Sequence, residues 1–316
     1  MSHPESIKEY PLSTQIIIKR IHNRIDAGKN ALVIICGQTG AGKSLAALQI
    51  MRGLYLYRYG KEPENKYLID HTFFRATKFM EAMRDLSNDL VDDKKKLIKG
   101  QSWLWDEVGV EAGHKESMTV RNKVVGWLAQ TFRNLQQVIF FTTPSISFID
   151  ASIRKLIHYY IEAHMIDLKK KVCVCRALEL QYNVRMDKIY YHNFKYPTNE
   201  GVLEVDFIAV PKISDELEQD YDIKKNRFTS DLNEEILSAL RRVEKTKESA
   251  PLTLRQEEIL SYLKQNKSPM EIAKVMGQHN SNIYVNLNFM RRKGVDVDKF
   301  LRKSTSTHLL YEKPSP

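Results

Sequence analysis

The segment Ala31 to Ser44, ALVIICGQTGAGKS, joins an apolar run to a complete G-x-x-x-x-G-K-S pattern. Those residue types at that spacing make a cradle for nucleotide phosphates. Gly37, Gly40 and Gly42 carry no Cβ, so the backbone N–H groups of the loop Gly37, Gln38, Thr39, Gly40, Ala41 and Gly42 can curl around phosphate oxygens. The helix that must follow aims its positive end at the same charge. Lys43 brings a formal cation to the β- and γ-phosphates of ATP, and Ser44 offers a hydroxyl to Mg²⁺. About 60 residues on, Ser102 to Glu107, SWLWDE, ends a β-like run in two carboxylates. In the Walker B manner, Asp106 would hold Mg²⁺ beside the loop, and Glu107 would orient or deprotonate the attacking water.

The elements that position these groups follow from period and punctuation. Thr14 to Ala27 carries Ile17, Ile18, Ile21 and Ile25 at helical spacing and stops at Gly28. Lys43 to Tyr59 reads as the loop's own helix. A short apolar run, Tyr67 to Ile69, and an amphipathic segment, Ala76 to Leu86, supply a βα unit between the two motifs, and Asp92 to Lys99 is a charged connector. Asn122 to Asn134 is predicted helical. Gln137 to Thr143, QVIFFTT, is predicted as a buried strand ending in Thr142, Thr143 and Ser145 around Pro144, where ligands bind in α/β sheets. A hydroxyl of Thr142 or Thr143 there could sense the γ-phosphate, or simply close a turn.

An extra strand between the two motif strands, with Glu after Asp, resembles the additional-strand, catalytic-Glu P-loop ATPases. Within them, FRNLQQVIFFTTPSISFIDASIRKLIHYYIEA after the loop and SWLWDE is similar to the FtsK/HerA-type DNA translocases and their archaeal viral and plasmid relatives, over about Ala31 to Ala163. The resemblance implies an α/β fold: a P-loop, RecA-like, mostly parallel sheet with appended antiparallel strands. It implies an oligomer, with a hexamer as the expected form, completing each site with an arginine from a neighbouring copy; Arg133 and Arg154 are the candidates. Many members carry Gln where this chain has Thr142 or Thr143.

From Leu156 to Tyr196 the runs IHYYIEAH, KVCVCRALEL and MDKIYYHNFKY alternate β-formers, as appended antiparallel strands would. Their Tyr, His and Lys side chains suit edge packing first and nucleic-acid contact second. Cys36, Cys173 and Cys175 are too few for a four-ligand metal site and read as buried thiols. No apolar stretch is long enough to span a membrane, and the polar N-terminus MSHPESIKEY leads to the expectation of a cytoplasmic protein. A net charge of +10 and a pI near 9.3 suit a polyanionic partner, with a basic surface kept for solubility as the alternative.

The sequence divides into an ATPase domain over 1–240, a polar linker over 241–251 and a small all-α domain over 252–316. Thr253 to Gln256 and Ser268 to Glu271 are capping boxes, the second with Pro269 at the first helical position. Asn280 or Ser281 is expected to cap a third helix carrying Ile283, Leu287 and Met290 inward. This is helix-turn-helix spacing. It puts Ser281, Asn282, Tyr284, Asn286, Arg291 and Arg292 on or near a face that could read duplex DNA. Residues 252–316 hold eleven Lys or Arg against six Asp or Glu. A three-helix protein-binding module is the alternative for these residues. For the whole chain, the alternatives to a motor are an AAA+ replication initiator and an ATP-switched DNA-binding regulator.

Overall fold

Six consecutive apolar residues, Ala31–Cys36, form the central strand β1, buried along its whole length. A strand covered on both faces needs apolar residues at every position, as parallel sheets do. The computed structural model describes residues 3–91, 99–108, 135–199, 201–249 and 251–301. Two compact units, Met1–Leu232 and Asn233–Pro316, are distinguished by their internal contacts.

In the first unit, α1 (Leu12–Asp26) precedes β1, and α2 (Lys43–Tyr59) follows it. Then come α3 (Asn65–Asp70), β2 (Thr72–Phe73), α4 (Ala76–Val91), β3 (Ser102–Trp105), β4 (Val138–Thr143) and α5 (Ala151–Arg154). The long strands β5 (Tyr159–Asp167), β6 (Val172–Asn183) and β7 (Lys188–Thr198) lead to β8 (Gly201–Val205), β9 (Phe207–Pro211) and helix α6 (Asp215–Ser249), whose residues from Asn233 onward belong to the second unit. The sheet runs β2-β3-β4-β1-β5-β6-β7-β8, with β9 on β6. From β2 to β5 every pairing is parallel; beyond β5 every pairing is antiparallel.

The mixed α/β sheet, parallel in its core with antiparallel strands appended, agrees with the sequence reading, but two details differ. The strand between β1 and β3 is β4, which follows both motifs in sequence, while Tyr67 to Ile69 lies in α3. Three apolar residues are too few for period to separate strand from helix. IHYYIEAH belongs mainly to β5, which pairs β1 in parallel and only its other neighbour antiparallel. Alternation reports a half-covered strand, not the direction of its partner.

The sheet's two faces bury separate cores. Val33, Ile35, Leu104 and Phe140 pack against α1 and α2, whereas Ile34, Trp105, Ile139 and Phe141 share the opposite core with Phe79 and Met83 of α4. Between β1 and β5, the Nδ1 of His158 accepts the Leu32 N–H at 3.0 Å, so the ring is neutral there. Burial, helped by Arg24 and Lys29, holds its pKa down to about 3.

In the second unit α7 (Leu254–Lys264), α8 (Pro269–Val275) and α9 (Asn280–Arg292) enclose a core of Ile259, Leu263, Ile272, Ala273, Ile283, Leu287, Met290 and Val297. Both expected capping boxes are formed. The third helix is capped by His279, whose Nδ1 accepts the Ser281 N–H, rather than by Asn280 or Ser281. An imidazole one residue earlier supplies the acceptor the helix end needs. The polar stretch 241–249 is helical, within α6. Arg, Glu and Lys are good helix formers, and lack of an apolar period does not stop a helix. Among the described residues no helix is long and apolar enough to cross a membrane.

Candidate functional site

Parallel register builds the site. Cys36 pairs with Thr143 and Trp105 with Phe141, so the loop after β1, the end of β4 and the two carboxylates after β3 emerge side by side. This is the carboxyl edge of the sheet, where open α/β sheets bind ligands.

The loop from Gly37 to Gly42 turns directly into α2. Gly37 has φ 151°, and a Cβ there would come 2.6 Å from the Ala163 carbonyl oxygen. Gly42, at φ 88°, is the N-cap of α2; a Cβ there would press on Cys173 Sγ and Ile166. Glycine is required at both places by shape. Behind the loop Cys173 donates to the Ala41 carbonyl at 3.2 Å, and Cys173 and Cys175, both buried and free, lie 3.5 Å apart. Lys43 folds back over the loop, its Nζ donating to the carbonyls of Gly37 and Gln38 at 2.9 Å each. Burial holds its ammonium below the usual lysine range, against the pull of Asp106 and Glu107.

Asp106 is fully buried. Its Oδ1 accepts the Ser44 hydroxyl at 2.8 Å and the Thr142 hydroxyl, and its Oδ2 accepts the Tyr221 hydroxyl. A buried carboxylate needs such donors. Thr142 Oγ1 also accepts the Glu107 N–H at 2.7 Å, tying both acidic residues to the end of β4. Thr143, equally buried, points its hydroxyl to the Ser145 carbonyl instead, at 3.1 Å. Glu107 sits at φ 55°, a left-handed backbone that a non-glycine residue adopts at a cost of about 1–3 kcal/mol. Its Oε1 accepts Lys225 Nζ at 2.6 Å.

Sequence reasoning missed Tyr221 and Lys225, both on α6. A signal existed: Leu217, Tyr221, Phe228 and Leu232 are buried and recur at helical spacing. Phe228 stacks on Phe74 with centroids 5.1 Å apart, and Lys224 donates to the carbonyls of Ile69 and Thr72 at 2.6 Å each. These contacts fix the helix over the site, and burial beside Asp106 drives the Tyr221 hydroxyl's pKa well up.

Of the remaining expected residues, Arg154 ends α5, and its Nε is buried with no hydrogen-bond partner among the described residues. Arg133, the helix expected over Asn122 to Asn134, and nearly all of the charge run from Asp92 to Lys99 lie outside the described residues. On α9, Ser281, Asn282, Tyr284 and Arg292 are exposed, and half-buried Asn286 donates to the Asn282 carbonyl at 2.8 Å. Arg291 is held by Asp298 at 2.6 Å and by Asn288 at 2.8 Å.

No family model matches the chain, and no curated protein matches it in sequence. Among solved structures, the N-terminal domain of zonular occludens toxin from Neisseria meningitidis is similar over 55% of this chain and 100% of its own, at 16% identity and a TM-score of 0.28. ATPases 2 and 3 of EssC from Geobacillus thermodenitrificans are similar over 72% of this chain, at 14% identity and a TM-score of 0.25; this chain covers 43% of that one.

Proposed function

We propose that the chain is a Mg²⁺-dependent ATPase of FtsK/HerA type, a motor on duplex DNA recruited by a helix-turn-helix in its second unit. The observation that carries the ATPase reading is the hydrogen-bonded series Ser44, Asp106, Thr142 and Glu107 at one sheet edge, next to a loop over which Lys43 is folded. Lys43 exchanges the loop carbonyls for the β- and γ-phosphates. Ser44 and Asp106, two oxygen donors in contact beside the cradle, fit a Mg²⁺ ion, which would neutralise charge on the phosphate oxygens. Glu107 accepts the proton of a water whose oxygen bonds to the γ-phosphorus; the bond to the β–γ bridging oxygen breaks, and its electron pair leaves with ADP. Thr142 positions both acidic residues, a role its hydrogen bonds favour over direct γ-phosphate sensing.

DNA recruitment is supported by the basic excess of residues 252–316 and by the polar, exposed Ser281, Asn282 and Tyr284 near the start of α9. Arg291 and Arg292 would add phosphate contacts, Arg291 after leaving Asp298. Arg133 or Arg154 from a neighbouring copy would complete a site in a ring. An AAA+ initiator is disfavoured because strands β6 to β9, not a helical lid, follow the parallel core. The contacts of α6 to Asp106 and Glu107 favour restrained basal turnover, which also suits an ATP-switched regulator.

The test is ATP hydrolysis by the full chain with and without duplex DNA, alongside the assembly mass with ATP bound. Hydrolysis stimulated by DNA in a ring supports a motor. Slow turnover indifferent to DNA, from a monomer or dimer, supports the switch. No hydrolysis overturns both.

A further inference from the structure

Lys225 is unexplained by the cradle alone. It stands on α6, two turns before Leu232, and its ammonium bonds Glu107, the residue placed to receive a proton from water. Lys225 occupies Oε1 of that carboxylate, so the arrangement is a resting one. Both side chains are about 30% exposed. An ion pair so placed is weak. A γ-phosphate offers more negative charge and three acceptor oxygens, and binds an ammonium more strongly than one carboxylate does. Glu107 follows Asp106, whose Oδ1 accepts the Ser44 hydroxyl next to Lys43, so the Lys225–Glu107 pair stands at the same sheet edge as the cradle. Its neighbours on α6 do not follow it if it moves: Tyr221 is bound to Asp106, Lys224 to the Ile69 and Thr72 carbonyls, and Phe228 to Phe74. The helix is anchored, while Lys225 can swing on its own flexible stem.

The geometry points to Lys225 as a second substrate-binding cation, supplied by the same chain: it leaves Glu107 for the γ-phosphate when ATP binds. The inference rests on the ATPase reading above and deepens it. One exchange then performs two tasks. It places positive charge on the group to be transferred, and it frees Glu107 to take the proton from water. ADP has no γ-phosphate, so with ADP bound the Lys225–Glu107 pair stays closed. Release of Glu107 is thereby tied to the presence of a γ-phosphate within one subunit.

The experiment uses the full chain and compares affinity for the non-hydrolysable triphosphate AMP-PNP with affinity for ADP, together with kcat, in Lys225→Ala and Lys225→Arg. In Lys225→Ala, ADP should bind within about twofold of the unaltered chain, while AMP-PNP weakens at least about tenfold, the share of one hydrogen bond to a charged group. The same variant should lose at least about tenfold in kcat, and Lys225→Arg should recover most of both. Because ADP binding also reports an intact cradle, misfolding cannot imitate this pattern. An unchanged ratio of the two affinities overturns the inference, as does equal weakening of both. A rise in kcat in Lys225→Ala also overturns it, since Lys225 would then only restrain Glu107. If the unaltered chain binds neither nucleotide, the ATPase reading itself fails.

Discussion

Two lysines face one cradle, and they reach it by different routes. Lys43 is positioned by its immediate neighbours, through bonds to the Gly37 and Gln38 carbonyls. Lys225 comes from the far end of the unit, on a helix held in place by the ridge of Leu217, Tyr221, Phe228 and Leu232. The contrast separates chemistry carried by a contiguous loop from chemistry delivered by packing. The first tolerates change elsewhere in the fold; the second does not.

The largest expected effect is on the loop side. Lys43→Ala should lower ATP affinity or turnover by at least about 100-fold, because no other group in the loop brings a cation to the phosphates. Titration with a fluorescent ATP analogue checks binding, and a full native signal would break the contrast. On the packing side, Phe228→Ala should cost about 3 kcal/mol in urea unfolding of the first unit. It should also erode the preference for AMP-PNP over ADP while leaving ADP bound, since α6 loosens and the loop does not.

That division explains what was readable in the sequence. The loop, Asp106, Glu107 and both capping boxes of the second unit are local patterns, each decided within about eight residues, and both boxes are formed. The inserted strand β4 and the parallel pairing of β5 depend on which strands meet, which period alone does not encode. Tyr221 and Lys225 were unread because a tyrosine and a lysine on a helix are ordinary until the fold aims them at Asp106 and Glu107. His279 displaced the expected cap because an imidazole nitrogen can accept where a hydroxyl or amide was sought.

A smaller effect concerns the sheet that both lysines depend on. His158 has its pKa held at about 3 in the fold, below the 6.5 of the free side chain, so protonation favours unfolding. Its contribution is intact above pH 6.5 and is lost progressively as pH falls towards 3. At pH 5 the loss amounts to about 2 kcal/mol. His158→Gln should therefore lose less stability than the unaltered chain between pH 7.5 and pH 5, by about that much, in urea titrations at the two values. The same loss in both would mean that His158 does not titrate in this way.

The smallest effects belong to the second unit. Asn282→Ala should reduce discrimination between duplex sequences by about 1–3 kcal/mol. Arg292→Ala should weaken binding to all duplexes alike and lower the salt dependence by about one phosphate contact. Anisotropy titrations at two salt concentrations distinguish these outcomes. Unaltered binding in both variants would assign α9 to protein contacts.

The measurement that bears most directly on the central claim is single-turnover ATP hydrolysis by Glu107→Gln beside the unaltered chain, with ATP affinity determined in parallel. The variant should bind ATP as tightly as the unaltered chain, or more tightly, and hydrolyse it at least about 100-fold more slowly, because the amide keeps the shape and cannot take the proton. Hydrolysis at the native rate would contradict that claim, and Glu107 would then be only a charge at the end of a strand.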